Sequence, residues 1–325
     1  MKPSARITLW LPVLLALCLF FCLLMGPSGF GIPDVSTPAG RAIFGLRLSR
    51  LITGFFVGAA LSCAGTVFQA LLRNPLAEPY VLGVSSGAGL GAAIAILGGL
   101  ASGGVLALPA AAFAGAAVSL ALVFVLSADS GSPSVYGLIL SGVIVSAVCS
   151  SVLMFLVALS SAEGLHSVLW WMLGNLHPAS IRLLAACAAA IAATVAGSWL
   201  IAPELNALTL GREAAHYAGV RTGVVAALGL GLATLMTASA VAVAGLIGFV
   251  GLIVPHVVRA LTGPDHRRLI PAAAVAGGVF LALCDAVART ALRAQEIPVG
   301  VVTALCGGPF FLAVLRKRRR QGWIG

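Results

Sequence analysis

Gly83-Val84-Ser85-Ser86-Gly87 matches the G-x-S-x-G pattern of a hydrolase nucleophile elbow. That chemistry needs a strand before the serine, and a histidine and an acid to activate it. Here the match opens a long apolar segment, so a hydrolase built on Ser85 would lack its base. Gly87-Ala88-Gly89-Leu90-Gly91 has the glycines of a dinucleotide loop without the βαβ frame. The spacing has a structural use instead. Gly83, Gly87 and Gly91, like Gly54 and Gly58, stand four apart and let membrane helices approach closely. The chain's only lysines are Lys2 and Lys317, and neither follows the glycine pattern of a phosphate-binding loop. If ATP drives this protein, another subunit hydrolyses it.

The remaining ionisable groups are few. His256 and Arg259 lie one turn apart after Pro255, too few donors for a metal, and read as a structural helix end. His166 and His177, near Trp170 and Trp171, read as interfacial residues. Asp285 is the one acid clearly within an apolar span, which makes it a functional candidate. Arg289 lies one helical turn further on, and the pair reads as a structural ion pair near the outer end of a helix. A proton relay would need several such groups. The seven cysteines, all in apolar runs, read as small packing residues rather than disulfide partners or metal ligands. No cofactor is expected.

Such residues must be positioned by an apolar scaffold. The 325 residues are 60% hydrophobic and 9% charged, against roughly 25% charged in soluble domains. The mean hydropathy is +1.11. This is an integral membrane protein, and continuous rather than alternating apolar runs make it an all-α bundle. The net charge of +10 resides in loops and at the C-terminus, as membrane topology requires, and is no nucleic-acid signal.

A spanning helix takes about 20 apolar residues, and ten spans are expected in a single domain covering 1–325. They fall near 7–26, 51–72, 80–98, 105–127, 134–159, 181–202, two within 222–258, 269–289 and 297–315. The pair within 222–258 is expected to turn near Ser239 to Gly245. An interfacial helix falls in 160–180, a Gly/Pro-rich loop in 27–40, and a polar loop in 203–221. Arg73-Asn74-Pro75-Leu76-Ala77-Glu78-Pro79 interrupts two long uncharged runs, and its prolines make it a compact turn at a membrane surface. An even number of spans puts both termini on one side, and the basic cluster Arg316 to Arg320 assigns that side to the cytoplasm. Thirteen basic residues are then cytoplasmic and six, Arg41, Arg47, Arg50, Arg182, Arg289 and Arg293, are outside. Three arginines crowded before the second span are unusual there.

Three stretches carry a resemblance. The segment Arg73 to Ala88 (RNPLAEPYVLGVSSGA) resembles the signature of ABC importer permeases for iron–siderophore, haem and vitamin B12 uptake. Gly248 to Arg259 (GFVGLIVPHVVR) and Pro298 to Phe311 (PVGVVTALCGGPFF) are similar to the family's second and third signatures. The resemblance implies a type II importer fold in the bacterial inner membrane. It implies a homodimer around a central pathway, with two ATP-binding cassette ATPases below and a periplasmic or lipid-anchored substrate-binding protein above. It further implies a cytoplasmic gate at Asn74, Leu76, Ser134 and Val135. Leu205 to Val220 corresponds to the ATPase-coupling loop, through Leu205, Gly211, Arg212, Glu213, Ala214 and Gly219. Arg47, Arg50 and Arg289 correspond to basic positions that dock the binding protein. The other class considered, an ion-gradient-driven secondary transporter, would need coupling-ion sites at mid-membrane, and such acids are nearly absent.

Overall fold

The computed structural model describes residues 5–26, 29–129, 132–133, 135–176, 180–292 and 295–320. Among them are thirteen α-helices: α1 Ala5–Leu24, α2 Pro38–Leu71, α3 Val84–Leu97, α4 Ala107–Ser127, α5 Val135–Ala158, α6 Ala162–Met172, α7 Ile181–Leu200, α8 Ala202–Thr209, α9 Arg212–Tyr217, α10 Thr222–Ala244, α11 Val250–Thr262, α12 His266–Thr290 and α13 Val299–Arg320. Two short 3-10 helices lie at Pro79–Leu82 and Leu100–Gly103, and the strands are four two-residue pieces paired as antiparallel hairpins. Six helices, α2, α4, α5, α7, α10 and α12, are long and apolar enough to cross a membrane. Four shorter apolar helical stretches, 15–24, 84–97, 250–262 and 299–314, accompany them.

The axis of the bundle is α2. Every residue from Val57 to Ala70 is buried, because α10, α11, α12 and α7 pack around it. A second group, α3, α4 and α5, joins the first through α10. The expected second span began at Leu51, but the helix starts thirteen residues earlier, at Pro38. The Thr37 hydroxyl accepts from Gly40 N at 3.0 Å, and Pro38 takes the first helical position, where its missing N–H leaves nothing unsatisfied. Arg41, Arg47 and Arg50 therefore stand on the helix itself.

Two further expectations shift. The α10 helix runs through Ser239 to Ala244, and the chain turns only at Gly245 to Phe249 before the 13-residue α11. The polar stretch 203–221 contains two short helices, α8 and α9, set off by Leu210 and Gly211. Apolar contacts at Leu205 and Leu208 hold α8 against the bundle and bury both side chains.

Small residues bring the backbones of α2 and its neighbours into contact. A Cβ added at Gly58 would meet the Gly277 carbonyl oxygen at 2.2 Å, and one at Gly65 would meet that of Gly251 at 2.0 Å. Neither neighbour is a flexible side-chain tip that can swing away. Gly58→Ala and Gly277→Ala are therefore expected to lower stability by about 1–3 kcal/mol, as overpacking does. Gly231, on the exposed face of α10 with nothing within 4 Å of its Cβ position, is the control: Gly231→Ala should be neutral or slightly stabilising. Thermal unfolding midpoints of the three variants in one detergent check this ordering.

Candidate functional site

After α2 the chain turns sharply. Leu72 closes the helix, Arg73 takes a left-handed conformation (φ 49°), and Asn74 Oδ1 accepts from Leu76 N at 2.9 Å. Asn74 and Leu76 are exposed, as a turn at a surface requires. From there the backbone re-enters the bundle. A Cβ at Gly251 would touch both the Leu61 carbonyl and the Pro79 ring, each at 2.8 Å. Leu61 lies ten residues before the end of α2, so Pro79 sits about 15 Å back along that helix. Irregular backbone at such depth has no water to bond and survives only where protein supplies the partners.

The partners are side chains. Gln69 Nε2 donates to Ala77 O (3.5 Å) and Gly251 O (3.2 Å). Arg259 Nη2 donates to Gln69 Oε1 at 2.9 Å. The Glu78 carboxylate accepts from Phe249 N, and the Tyr80 hydroxyl accepts from Ile247 N at 3.0 Å. Gly83, in the left-handed region (φ 80°), caps α3, and its carbonyl accepts from Ser119 Oγ at 2.7 Å. Residues 77–83 and the break at 245–249 are thus stitched together. The third motif joins them: a Cβ at Gly307 would overlap the Phe249 ring at 2.3 Å, and one at Gly300 would meet the Leu173 carbonyl at 2.3 Å. Ser85, one residue into α3, follows a 3-10 turn rather than a strand, so no nucleophile elbow forms.

At the opposite end of α2 the arginines are largely internal. Arg47 Nη1 donates to the carbonyls of Leu23, Leu24 and Gly31 at 3.4, 3.1 and 2.8 Å. Arg289 donates to Cys22 O and Met25 O, both at 3.2 Å. Together they satisfy the last carbonyls of α1, where the helix dipole also favours cations. The expected Asp285–Arg289 pair is present, Nε to Oδ2 at 2.9 Å, and Arg50 Nη2 reaches Asp285 Oδ1 at 2.8 Å. Arg50 Nη1 also holds Glu296 at 2.7 Å. Arg47 and Arg289 are only 5% and 3% exposed, whereas Glu296 is 42% exposed, so solvent reaches this cluster mainly along the Arg50–Glu296 pair.

The coupling candidates lie at the Arg73 end. Gly211 (φ 118°) separates α8 from α9, and its Cβ position is 3.7 Å from Arg73 Nη1. Arg73 and Arg212 line one cleft with Leu71, Leu138, Leu208, Ala226 and Leu230. Glu213, Ala214 and Gly219 are exposed, and so are Leu210 and Tyr217, at 79% and 88%. Leu205 instead faces inward. Of the gate candidates, Val135 opens α5 and Ser134 lies outside the described residues; so do His177 and Arg293.

Several residues here had no role assigned from the sequence: Gln69, Glu78, Tyr80, Ser119 and Asn206. Asn206 Nδ2 donates to Asp265 Oδ1 at 2.7 Å, and Asn206 Oδ1 accepts from His266 N at 2.9 Å and lies 2.7 Å from His266 Nδ1. This fastens α8 to the start of α12. The Asn206 amide and the Arg267 N–H hold the Asp265 carboxyl below its ordinary value. Its contribution is therefore complete at neutral pH and is lost only as the pH falls through that lowered pKa. His256 packs edge-on against Phe310, and the His166 ring likewise against Trp170.

Comparison with known proteins agrees with this arrangement. The FecCD transport family profile matches residues 14–317. The cobalamin import system permease protein BtuC of Halobacterium salinarum is 43% identical over 296 residues, 90% of this chain and 77% of that one. The hemin transport system permease protein HmuU of Yersinia pestis is 38% identical, over 85% and 83% of the two chains. The vitamin B12 import system permease protein BtuC of Shigella boydii is 37% identical over 98% and 97%. Among solved structures, an inward-facing metal-chelate type ABC transporter superimposes with a TM-score of 0.87 at 31% identity, covering 96% of this chain and 99% of that one.

The charge cluster yields a test. Asp285 is 1% exposed and faces two guanidinium groups. Removing one partner of a buried ion pair costs about 3–5 kcal/mol, because the remaining charge is stranded. Asp285→Leu should therefore destabilise strongly, whereas Glu296→Gln, at an exposed pair, should cost no more than about 1 kcal/mol. Unfolding midpoints and folded yield in detergent measure both.

Proposed function

This chain belongs to the FecCD transport family, and from that premise we propose how its parts serve an importer. It is a permease of an ABC importer. Cobalamin, haem or a ferric chelate is the proposed cargo, because the named relatives and the solved neighbour carry chemicals of that class. The chain has no phosphate-binding loop of its own, so the hydrolysing subunits are separate, and two copies of the permease form the pathway. Ten crossings are supported by the six long apolar helices together with the four shorter stretches. The Arg73 end, with both termini, faces the cytoplasm of a bacterial inner membrane, and the Arg50 end faces the binding protein.

One observation carries the mechanism. The short helix α8 and the largely exposed α9 lie at the same end of the bundle as the Asn74–Leu76 turn, with Gly211 beside Arg73. Leu210 and Tyr217 present apolar surface that a partner cleft would cover. The ATPases engage Arg212, Glu213, Ala214 and Gly219 from outside, Leu205 anchors the loop from inside, and Asn74, Leu76, Ser134 and Val135 constrict the pathway. At the other end Arg50 offers its guanidinium to acids of the binding protein, while Arg47 and Arg289 brace the helix that presents it. A gradient-driven mechanism lacks an observation in its favour: Asp285 is neutralised by two arginines, and Glu78 is bonded to the Phe249 N–H.

Gly211 takes a conformation that L side chains rarely adopt. Gly211→Val should distort the α8–α9 turn, lowering ATPase retention or transport by about tenfold or more while membrane insertion persists. Co-purification of the ATPase and uptake into proteoliposomes are the measurements. Normal values for both would exclude α8–α9 as the coupling element. Arg50→Glu should slow association of the binding protein, with the loss largest at low salt, where like-charge repulsion is least screened. Stopped-flow binding across ionic strengths checks the sign, and reversal by an acid-to-arginine change on the binding protein identifies the contact.

A further inference from the structure

The α8–α9 pair and the exposed Asn74–Leu76 turn are joined through inward-facing side chains as well as at the surface. Asn206 of α8 bonds to both Asp265 and His266, at the junction of α11 and α12. From that junction α11 runs inward, and Arg259, in its last turn, donates to Gln69 Oε1 at 2.9 Å. Gln69 is 4% exposed. Its amide nitrogen is shared between Gly251 O, in the first turn of α11, and Ala77 O, directly after the gate turn. One glutamine thus contacts both ends of α11 and the segment that carries Asn74 and Leu76. Asn74 N also donates to Gln69 O at 3.2 Å, so backbone and side chain of the same residue hold the turn.

We propose that Gln69 and Arg259 are positioning residues for transport, transmitting displacement of α8 through α11 to the Asn74–Leu76 turn. The inference rests on the reading of α8–α9 as the coupling element and of that turn as the gate. Its physical basis is that α11 is gripped at both ends, and Gln69 replaces the bond to Gly251 O that Pro255, inside the helix, cannot make. When α8 shifts against the α11–α12 junction, Arg259 pulls on Gln69 Oε1. The amide plane is rigid, so its nitrogen then carries the Ala77 carbonyl along with Gly251 O. The Gly65–Gly251 contact brings the α2 and α11 backbones together without a side-chain bond of its own. The Gln69 hydrogen bonds supply that link. Spatial connection is only the starting point for such a route, and coupling has to be measured.

The measurement uses the permease bound to its ATPase partners in liposomes, with the seven native cysteines replaced and Leu76→Cys introduced. Crosslinking across the permease dimer by copper phenanthroline is compared without nucleotide and with magnesium ATP plus vanadate. In the parent the yield should change between the two states. Arg259→Met keeps the aliphatic stem and removes the donor. It should reduce that nucleotide response at least about fivefold, the lower end of typical coupling factors, with ATPase retention and hydrolysis rate held. Gln69→Glu keeps the acceptor for Arg259 but replaces the amide donor, and should have the same effect. Arg259→Lys, which retains a charged donor, should restore most of the response. A purely structural role would lower assembly and leave the response of the assembled fraction intact. A parent whose crosslink ignores nucleotide would overturn the gate reading and this proposal with it. A parent that responds, beside an Arg259→Met variant that responds equally, would overturn the link alone and leave the signal to the direct Arg73–Gly211 contact. Loss of assembly in both Arg259→Met and Gln69→Glu would also overturn it, because the pair would then hold the fold rather than pass a signal.

Discussion

Backbone amides that leave helical geometry inside an apolar bundle must find partners within the protein, and the rest of this structure is arranged around that requirement. Two segments leave it, residues 74–83 and 245–249. An unsatisfied peptide group in such surroundings costs several kcal/mol, so two runs of irregular backbone would be untenable without donors and acceptors brought to them. Gln69, Glu78, Tyr80 and Ser119 supply these, and Arg259 holds the Gln69 amide in place. They come from four separate helices and connecting segments, which is why those elements converge on the same stretch of α2. The glycines of α2, α11 and α12 follow from the same demand, since side-chain bonds of about 3 Å form only if the backbones approach closely.

The opposite end solves a related problem with charge. The C-terminus of α1 leaves carbonyls without intrahelical partners, and Arg47 and Arg289 take them up. Two guanidinium groups so close together need a counter-charge, and Asp285 lies between Arg50 and Arg289 to provide it. The cluster is therefore self-consistent: each arginine caps a helix end or neutralises an acid. Among the described residues of the cluster, the Arg50–Glu296 edge is the part that reaches solvent.

At the Arg73 end, α9 and the Asn74–Leu76 turn are exposed and have few buried bonds. Most of α9 is exposed, whereas α8 is largely covered, held by Leu205 and Leu208 on one face and by Asn206 at the α12 junction. The Asn74–Leu76 turn is stiff locally, through Pro75 and the Asn74 side chain, yet exposed. Stiff pieces mounted on a rigid axis suit an importer that must open and close without unfolding anything.

The membrane class, the helical architecture and the family were legible in the residues themselves. Long uncharged runs admit no other fold in lipid, and the segment from Arg73 to Ala88 is long enough to be specific. The Asp285–Arg289 pair was legible for a local reason, since one helical turn brings residues four apart together. What could not be read was everything that depends on which helix lies beside which. The start of α2 at Pro38 was missed because three arginines looked like a loop boundary, and only their tertiary partners, the α1 carbonyls for Arg47 and the Asp285 and Glu296 carboxylates for Arg50, make them tolerable in a helix. Gln69 is unremarkable in the chain, and Glu78 stands out only as part of the turn, because their partners lie 182 and 171 residues away. Sequence by itself determined which segments must avoid water. Tertiary structure alone decided which of their polar groups would satisfy one another, because hydrogen bonding is set by a few tenths of an ångström between elements whose order along the chain says nothing of their separation in space.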